Sequence, residues 1–417
     1  MFDQLLVIEL ASVLAGPSVG QFLAELGARV VKVEHPAGGD VTRHWYRKGE
    51  DRTRSASYFD ACNFGKESVA LDLRSPAGGN AVRQLVARAD VLLSSFGPGS
   101  AERLGLSDAV LRASNPALIH AAVTGYGSAS ERPGYDAVLQ AESGFMAING
   151  EADGGPLKMP VALIDVLAAH HLKEGILVAL LQRAATGRGT YLEISLLEAA
   201  VGALANQATG WLRSGKEPAR SGSAHPNIAP YGTVLETRDH GHILLAVGTD
   251  RQFRALCAVL GLADLADDPV YADNALRVEH RDSLDQRLRT AAANWELQAL
   301  TAALNEARVP AGPIRSVGEA LSAPESQGLL LRGPDAGHSQ ASQHPAPPNA
   351  RPTPANARHS PSGPAPSVGL RQWLVGDRPA TLPEPPTLGS HTEAVLRELT
   401  DLGVGQINTV LEQQTHP

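Results

Sequence analysis

The first 125 residues alternate short apolar runs with helical segments, and this alternation limits the fold more than any other feature of the sequence. Residues 5–10 form a compact apolar run, residues 17–27 have a helical pattern that begins at a proline, and residues 29–33 form a second apolar run. A strand, a helix and a strand in this order predict a βαβ unit. Further strands are predicted at 68–73, 91–96 and 117–124, and a helix at 76–89. The alternation predicts an α/β fold with a parallel sheet covered by helices on both faces.

The chain is long enough for more than one domain, since 417 residues exceed what a single hydrophobic core usually holds. We predict a large α/β domain over residues 1–215, completed by the C-terminal segment 367–417, and a smaller α+β domain over 232–315. Residues 220–231 are rich in Gly, Ser, Pro and Asn, which is typical of a linker. The Pro-rich stretch 334–366 has almost no large apolar residues, which predicts a disordered insertion.

Composition and charge exclude several classes of protein. The formal net charge is −8, so there is no overall basic surface for a nucleic acid partner. No apolar run reaches the 18 or so uncharged residues of a membrane span, and no basic signal-peptide region begins the chain. Cys62 and Cys257 are the two cysteines, far apart and without metal-ligand spacing, which argues against disulfides and zinc. We therefore expect a cytoplasmic protein with no membrane partner.

Asp165 is the leading candidate for chemistry. It follows the apolar residues 160–164, for which we predict a strand, and it precedes a long helical pattern that runs through Arg183. An aspartate in this position can cap a helix, a contribution of about 1 kcal/mol. It can also be a nucleophile that attacks a thioester carbonyl. The residues alone leave both roles open.

Loop residues supply candidates for ligand binding. Residues 12–17 follow the first strand but lack the GxGxxG fingerprint, which argues against a nicotinamide cofactor. Arg43, Lys66 and Arg103 each lie beside a Gly, Asn or Pro turn, where a cation could bind phosphate. A single Lys or Arg is nevertheless more often a surface charge without a ligand.

These features occur together in a known family. The chain resembles the class III CoA-transferases, also called the CaiB/BaiF family, over nearly its full length apart from the Pro-rich stretch. The matching residues are 14–17, 27–28 with 31–34, 39–40 with 43, 63–66 with 68 and 71–73, 96–99 with 103–105, 125–127, 135–136 with 140, 165, 186–189, 225–226, and 388–389 with 391–392.

The resemblance implies an activity and a set of site residues. Asp165 matches the family's nucleophile, which holds CoA as an aspartyl thioester while CoA moves from an acyl-CoA donor to a carboxylic acid acceptor. The family's CoA contacts imply that Lys66 and Arg103 bind phosphate groups. Further substrate or CoA contacts are expected at Val13, Leu14, Ala15, Arg43, Asn63 and Tyr135.

The resemblance also implies a Rossmann-like large domain in an interlocked homodimer. No metal or redox cofactor is expected, because CoA is both substrate and carrier. The same superfamily includes racemases of 2-methylacyl-CoA, in which Gly-His-Asp supplies an imidazole for proton transfer. This chain has Gly134-Tyr135-Asp136 instead, which favours a transferase. A non-catalytic CoA-binding paralogue is a second alternative, and the presence of Asp165 argues against it.

Overall fold

A computed structural model describes residues 2–333, 368–376 and 381–415 of the chain. The insertion predicted at 334–366 lies outside these residues. The described residues form two compact units. The first draws on Met1–Ser143, Pro160–Leu204 and Gly328–Pro417, and the second on Gly144–Met159 and Ala205–Gln327.

The helices and strands follow the chain in this order. Up to residue 143 they are β1 (Leu6–Leu10), α1 (Ala15–Glu25), β2 (Arg29–Glu34), α2 (Ser57–Asp60), β3 (Lys66–Ala70), α3 (Pro76–Arg88), β4 (Val91–Ser94), α4 (Ser100–Arg103), α5 (Asp108–Ser114), β5 (Ile119–Thr124) and α6 (Asp136–Glu142). Residues 144–333 form α7 (Phe145–Ile148), α8 (Leu163–Thr186), β6 (Tyr191–Ser195), α9 (Leu196–Gly202), α10 (Ala205–Ser214), β7 (Tyr231–Glu236), β8 (His242–Ala246), α11 (Asp250–Leu260), α12 (Ala263–Ala266), α13 (Asn274–Glu279), α14 (Arg281–Ala292), α15 (Leu297–Glu306), β9 (Ala311–Pro313), α16 (Val317–Ser322) and β10 (Leu330–Arg332). The remaining segments add β11 (Val368–Leu370), α17 (Thr392–Leu399) and α18 (Val404–Thr415).

The first unit is built on a six-stranded sheet with the strand order β3-β2-β1-β4-β5-β6. Every neighbouring pair in this sheet is parallel. The predicted α/β class with a Rossmann-like parallel sheet is therefore confirmed. The strand order reverses direction between β1 and β4, and such a switch point is where open α/β sheets bind their ligands.

The two faces of this sheet are covered differently. Ile8 and Leu92 point to one face, where they pack in a core with Leu85 of α3, Leu396 of α17 and Val410 of α18. The C-terminal helices thus complete the core of the first unit. Neighbouring residues of a strand point to opposite faces, so Glu9 points to the other face, which α1 covers.

The second unit contains a three-stranded antiparallel sheet with the order β7-β8-β9. Helices α11, α14 and α15 pack on it through a core of its own, which includes Leu245, Phe253, Leu288 and Leu300. Its extent differs from the predicted 232–315, because α10 and the separate segment Gly144–Met159 belong to it.

The strand predicted at 160–164 is wrong. Helix α8 begins at Leu163, and residues 160–162 belong to no strand. The strand that pairs with β5 on this side is instead β6, which follows α8 in the chain. Helix α8 is long, yet no helix in the described part of the chain is both long and apolar enough to cross a bilayer.

Candidate active site

The carboxyl ends of the six parallel strands meet at one edge of the sheet, and the candidate site lies at this edge. The loops after β1 and β4 are neighbours there, because they flank the switch point. The Ser12 backbone N–H donates to Ser95 Oγ at 3.1 Å and ties these loops together. Clefts of this kind bind ligands in open α/β sheets.

Helices α1 and α8 bring the loop 12–15 and Asp165 to the same end of the unit. Helix α1 connects parallel strands β1 and β2, and α8 leads into parallel strand β6, so both helices begin at the carboxyl edge. The two helices pack on each other. Lys173 of α8 lies over the ring of Phe22 of α1, with Nζ 5.2 Å from the ring centre.

Asp165 is a buried carboxylate in the first turn of α8, with 9% of its surface exposed. Its side chain accepts no hydrogen bond and pairs with no cation among the residues that the structure describes. Burial raises the pKa of Asp165 to about 7, and the nearby charge of Asp136 adds to this rise. The carboxylate is therefore poorly solvated and available to react.

Asp165 does not cap its own helix, and the capping alternative is wrong. The N-cap residue of α8 is Ala162, which makes no side-chain cap. Instead, Asp136 Oδ1 accepts from the backbone N–H of Ile164 at 2.8 Å and from that of Asp165 at 3.4 Å. Gln140 Nε2 donates a hydrogen bond to the other oxygen of Asp136, Oδ2, at 2.7 Å. A carboxylate from the loop after β5 thus fixes the start of α8.

Two glycines explain why Asp136 lies at this edge. The loop after β5 runs from Gly125 to Gly134, and the backbones of these two residues touch. A Cβ atom on either glycine would collide with the other. The loop therefore returns to its starting point, so that Tyr135 and Asp136 follow directly beside the end of β5.

Tyr58 is a residue of the site that the sequence did not indicate. Burial raises the pKa of its phenol to about 12, and the charge of Asp165 is the next cause, ahead of Cys62, Asp136 and Asp40. The phenol therefore lies within the electrostatic reach of Asp165. The ring of Trp45 packs edge to face against Tyr58, with 5.0 Å between the ring centres. No short-range pattern marks residue 58, because α2 is a single turn far from Asp165 in the chain.

The predicted contacts at 13–15 lie at the switch point. Val13 has a φ of 71°, a left-handed conformation that β-branched residues rarely adopt. Leu14 and Ala15 begin α1, and their backbone N–H groups have no acceptor among the described residues. Unpaired N–H groups in the first turn of a helix are suited to stabilise an oxyanion.

Three predicted CoA contacts are instead parts of a buried ion network. Lys66 Nζ donates to Glu9 Oε2 at 2.8 Å, to Asn63 Oδ1 at 2.8 Å and to a backbone carbonyl. Arg43 forms a double hydrogen bond with Glu34, at 2.8 and 2.7 Å. Lys66, Asn63 and Arg43 are all buried. Because these donors are engaged and shielded from solvent, this arrangement does not fit direct contact with phosphate.

Arg103 and Tyr135 remain accessible. Arg103 lies in α4, just after the loop that follows β4, and its Nη2 donates to Ser100 Oγ at 2.7 Å. Tyr135 is 67% exposed. The structure adds Arg74, which the sequence analysis missed. Arg74 follows β3 at the same edge, is largely exposed, and lies 3.1 Å from His35 Nε2. Arg103 and Arg74 are exposed cations that a phosphate group could approach there.

A second polar cluster has the residue types of a catalytic triad. Ser94 Oγ lies 3.0 Å from His120 Nε2, and His120 Nδ1 lies 3.2 Å from Asp108 Oδ1. Ser94 and His120 are buried within β4 and β5, at 3% exposure each. A substrate has no access to this serine, so the cluster is structural. In the described part of the chain, no group of three or more His, Cys, Asp or Glu is arranged to hold a metal ion.

Known proteins resemble this chain over most of its length. The sequence model of the family described as CoA-transferase family III matches residues 2–372. A succinate–glutarate CoA-transferase from Agrobacterium fabrum is 43% identical over 78% of this chain and 83% of its own length. A succinyl-CoA:glutarate CoA-transferase from Mus musculus is 34% identical over 97% of this chain and 88% of its own.

The fold comparison gives the same family. The crystal structure of a CaiB/BaiF family protein from Brucella suis has a TM-score of 0.78 and 38% sequence identity, and the match covers 95% of this chain and 99% of that one. The resemblance found in the sequence motifs is therefore confirmed. The chain belongs to CoA-transferase family III and is an enzyme of that family.

Proposed function

We propose that the enzyme moves CoA from an acyl-CoA donor to a free carboxylic acid through a thioester between Asp165 and CoA. The observation that carries this proposal is the buried carboxylate of Asp165, which lies without a charge partner at the carboxyl edge of the sheet. A desolvated carboxylate with a pKa near 7 is a better nucleophile than a hydrated one, and a sizeable fraction of it is ionised at neutral pH.

The proposed reaction has two symmetrical halves. Asp165 attacks the donor thioester carbonyl, CoA thiolate leaves, and a mixed anhydride remains. The thiolate then attacks the Asp165 carbonyl, which releases the donor acid and leaves the aspartyl-CoA thioester. The acceptor carboxylate attacks this thioester and forms a second anhydride, again with loss of the thiolate. Attack of the thiolate on the acceptor carbonyl gives the new acyl-CoA and restores the Asp165 carboxylate.

Each half passes through tetrahedral oxyanions, which require hydrogen-bond donors. The backbone N–H groups of Leu14 and Ala15 are suitable because they open α1 at the same end as Asp165. The phenol of Tyr58 is suitable because its raised pKa keeps the proton in place for donation.

The charged groups of CoA need a cationic surface. Arg74 and Arg103 support this role, since they follow strands β3 and β4 at the carboxyl edge. Tyr135, on the loop that carries Asp136, is proposed to border the acyl end. The expectation that no metal or redox cofactor takes part stays a prediction.

The substrates are proposed from the relatives. Both curated relatives described above carry succinate or succinyl-CoA together with glutarate in their names. We therefore propose dicarboxylic acids as the acceptor class, with succinyl-CoA and glutarate as the first pair to test.

A homodimer is also proposed. Helix α8 exposes Val178 and Leu181, which lie one turn apart on the same side of the helix, at 53% and 73% exposure. Exposed apolar side chains in adjacent positions are typical of interaction surfaces. Light scattering after size exclusion should give the mass of two chains. The unpaired Cys62 and Cys257 support a reducing compartment such as the cytoplasm.

Replacement of Asp165 tests the mechanism. Asp165→Ala should lower turnover of succinyl-CoA and glutarate at least about a thousandfold, because no neighbouring group can replace a covalent nucleophile. Asp153→Asn, at an exposed aspartate, is the matched control and should keep full activity. Hydroxylamine should trap Asp165 of the unsubstituted enzyme only when acyl-CoA is present. Near-normal turnover by Asp165→Ala would refute the proposed mechanism.

Isotope labelling distinguishes the proposed transferase from the racemase alternative. A racemase would exchange the α-proton of a 2-methylacyl-CoA in heavy water without any acceptor acid. The proposed transferase requires an acceptor and leaves no deuterium at the α-carbon. It also transfers one carboxylate oxygen from the acceptor to the enzyme, since each anhydride partitions an oxygen.

A further inference from the structure

Val13 is held in a strained backbone conformation directly before α1. It is the one β-branched residue with a positive φ in the described part of the chain. Such conformations persist only where the surroundings enforce them, and they cluster at functional sites.

The carboxylate of Asp40 contacts the backbone of Val13. The backbone N–H of Val13 donates to Asp40 Oδ2 at 3.2 Å and to Oδ1 at 3.4 Å. On the other side of the residue, Cys62 Sγ donates weakly to the carbonyl of Val13 at 3.7 Å. The charged acceptor makes the stronger of these two contacts.

Asp40 is itself fixed on several sides. Its Oδ1 accepts from the backbone N–H of Thr42 at 3.0 Å and from Thr42 Oγ1 at 2.7 Å. Its Oδ2 forms an ion pair with Lys32 Nζ at 3.0 Å. Asp40 and Lys32 are almost completely buried, at 4% and 1% exposure. The carboxylate therefore cannot turn away from Val13 without losing these bonds.

The conformation of Val13 decides where the next amides point. A return of φ from 71° to the ordinary negative range would rotate the peptide plane between Val13 and Leu14. Leu14 and Ala15 supply the unpaired N–H groups that the proposed reaction uses for its oxyanions. Their direction at the edge thus depends on the backbone conformation of Val13.

We propose that Asp40 is a positioning residue: it holds Val13 in the left-handed conformation and so aims the first amides of α1 at the reacting carbonyl. This inference rests on the proposed function, since it assigns those amides to the proposed oxyanion. Lys32 and Thr42 act only by fixing the carboxylate of Asp40.

Asp40→Asn is the test variant. Thr42 keeps one oxygen of the side chain occupied, so the new amide NH₂ faces Lys32 and the N–H of Val13, both of which are donors. We expect kcat for succinyl-CoA and glutarate to fall about a hundredfold, with the KM for succinyl-CoA changed less than about threefold, because misplacement of reacting groups by about 1 Å has an effect of this size. Adding Val13→Gly should restore about tenfold in kcat, since glycine adopts a positive φ without strain.

Glu34→Gln is the matched control. Glu34 is buried in the same ion network, pairs with Arg43 and makes no contact with Val13. Its Oε1 accepts from the backbone N–H of Asp40 at 2.9 Å, a bond that the amide oxygen of glutamine can keep. We expect Glu34→Gln to lower the melting temperature while its kcat stays within about threefold of the wild-type value. Adding Val13→Gly to this variant should not raise its kcat. If Glu34→Gln loses as much kcat as Asp40→Asn, or if Val13→Gly restores nothing, Asp40 only stabilises the fold and the inference is overturned.

Hydrogen exchange of the peptide 12–16 separates this inference from the proposed function. Exchange there should be faster in Asp40→Asn than in Glu34→Gln, whether or not the enzyme transfers CoA between the chosen substrates. A wild-type enzyme that moves CoA between no acyl-CoA and acid would refute the proposed function. Equal exchange rates in the two variants would refute the inference that Asp40 fixes the backbone conformation of Val13.

Discussion

Replacement of Asp165 by asparagine should stabilise the protein, and the gain should depend on pH. Asn has nearly the volume of Asp but no charge, so the change removes the cost of ionising a buried carboxyl group. The pKa of Asp165 rises from 3.8 to about 7 through burial and, secondarily, through the charge of Asp136. Each pKa unit corresponds to about 1.4 kcal/mol, so three units amount to roughly 4 kcal/mol.

The sign follows from proton linkage. Well below pH 3.8 the carboxyl group is protonated in the folded and the unfolded chain, and its burial has no pH-dependent cost. As the pH rises towards 7, the unfolded chain releases the proton first, and the free energy of unfolding of the wild type falls. The advantage of Asp165→Asn should therefore grow by roughly 2–3 kcal/mol between pH 5 and pH 8 and level off above that.

Urea unfolding followed by circular dichroism at pH 5, 6, 7 and 8 measures this gain. The exposed Asp153→Asn serves as the control and should show no such trend. A difference between Asp165→Asn and wild type that stays flat from pH 5 to pH 8 would refute the argument, because the carboxylate would then be well solvated or paired.

Three further predictions concern other parts of the site and its support. Asp136→Asn removes the charge beside Asp165 and should lower the pKa of the Asp165 carboxyl group, so the acidic limb of the pH–rate profile should move to lower pH. An acidic limb that does not move would contradict the electrostatic effect of Asp136 on Asp165. Arg74→Ala and Arg103→Ala should each raise the KM for acyl-CoA about three- to thirtyfold with little change in kcat, whereas Arg88→Ala, at the opposite end of α3 from the site, should not. Burial lowers the pKa of Lys173 to about 8, so Lys173→Met should be more stable than wild type at pH 7, and thermal scans should show this advantage shrinking as the pH rises from 8 to 10.

The sequence by itself determined the parts of the protein that depend on local patterns. Apolar runs at 5–10 and 29–33 around a helical segment predicted the βαβ unit. The spacing of apolar residues that distinguishes a strand from a helix depends only on residues close together in the sequence. The position of Asp165 at the start of a long helical pattern was visible for the same reason. The chemistry proposed for Asp165 came from its match to a family motif, because no local pattern contains it.

Only the tertiary structure decided which charged groups face the site. Lys66 and Arg43 lie beside turns in the sequence, as phosphate-binding residues often do, yet the packing of α1 over β1 and β2 buries them against Glu9 and Glu34. Arg74, which has an ordinary sequence context, remains exposed at the carboxyl edge. Burial is a property of the assembled layers, so neighbouring residues do not reveal it.

The surroundings of Asp165 were likewise decided by contacts between distant segments. Asp136 caps α8 and Tyr58 lies near the carboxylate, although both are far from Asp165 in the chain. The perturbed pKa of Asp165 comes from that burial and from the charge of Asp136. Local sequence patterns determined the helix that carries Asp165. Tertiary packing determined the solvation, the charge state and the neighbours of this carboxyl group, because desolvation and Coulomb interactions act through space rather than along the chain.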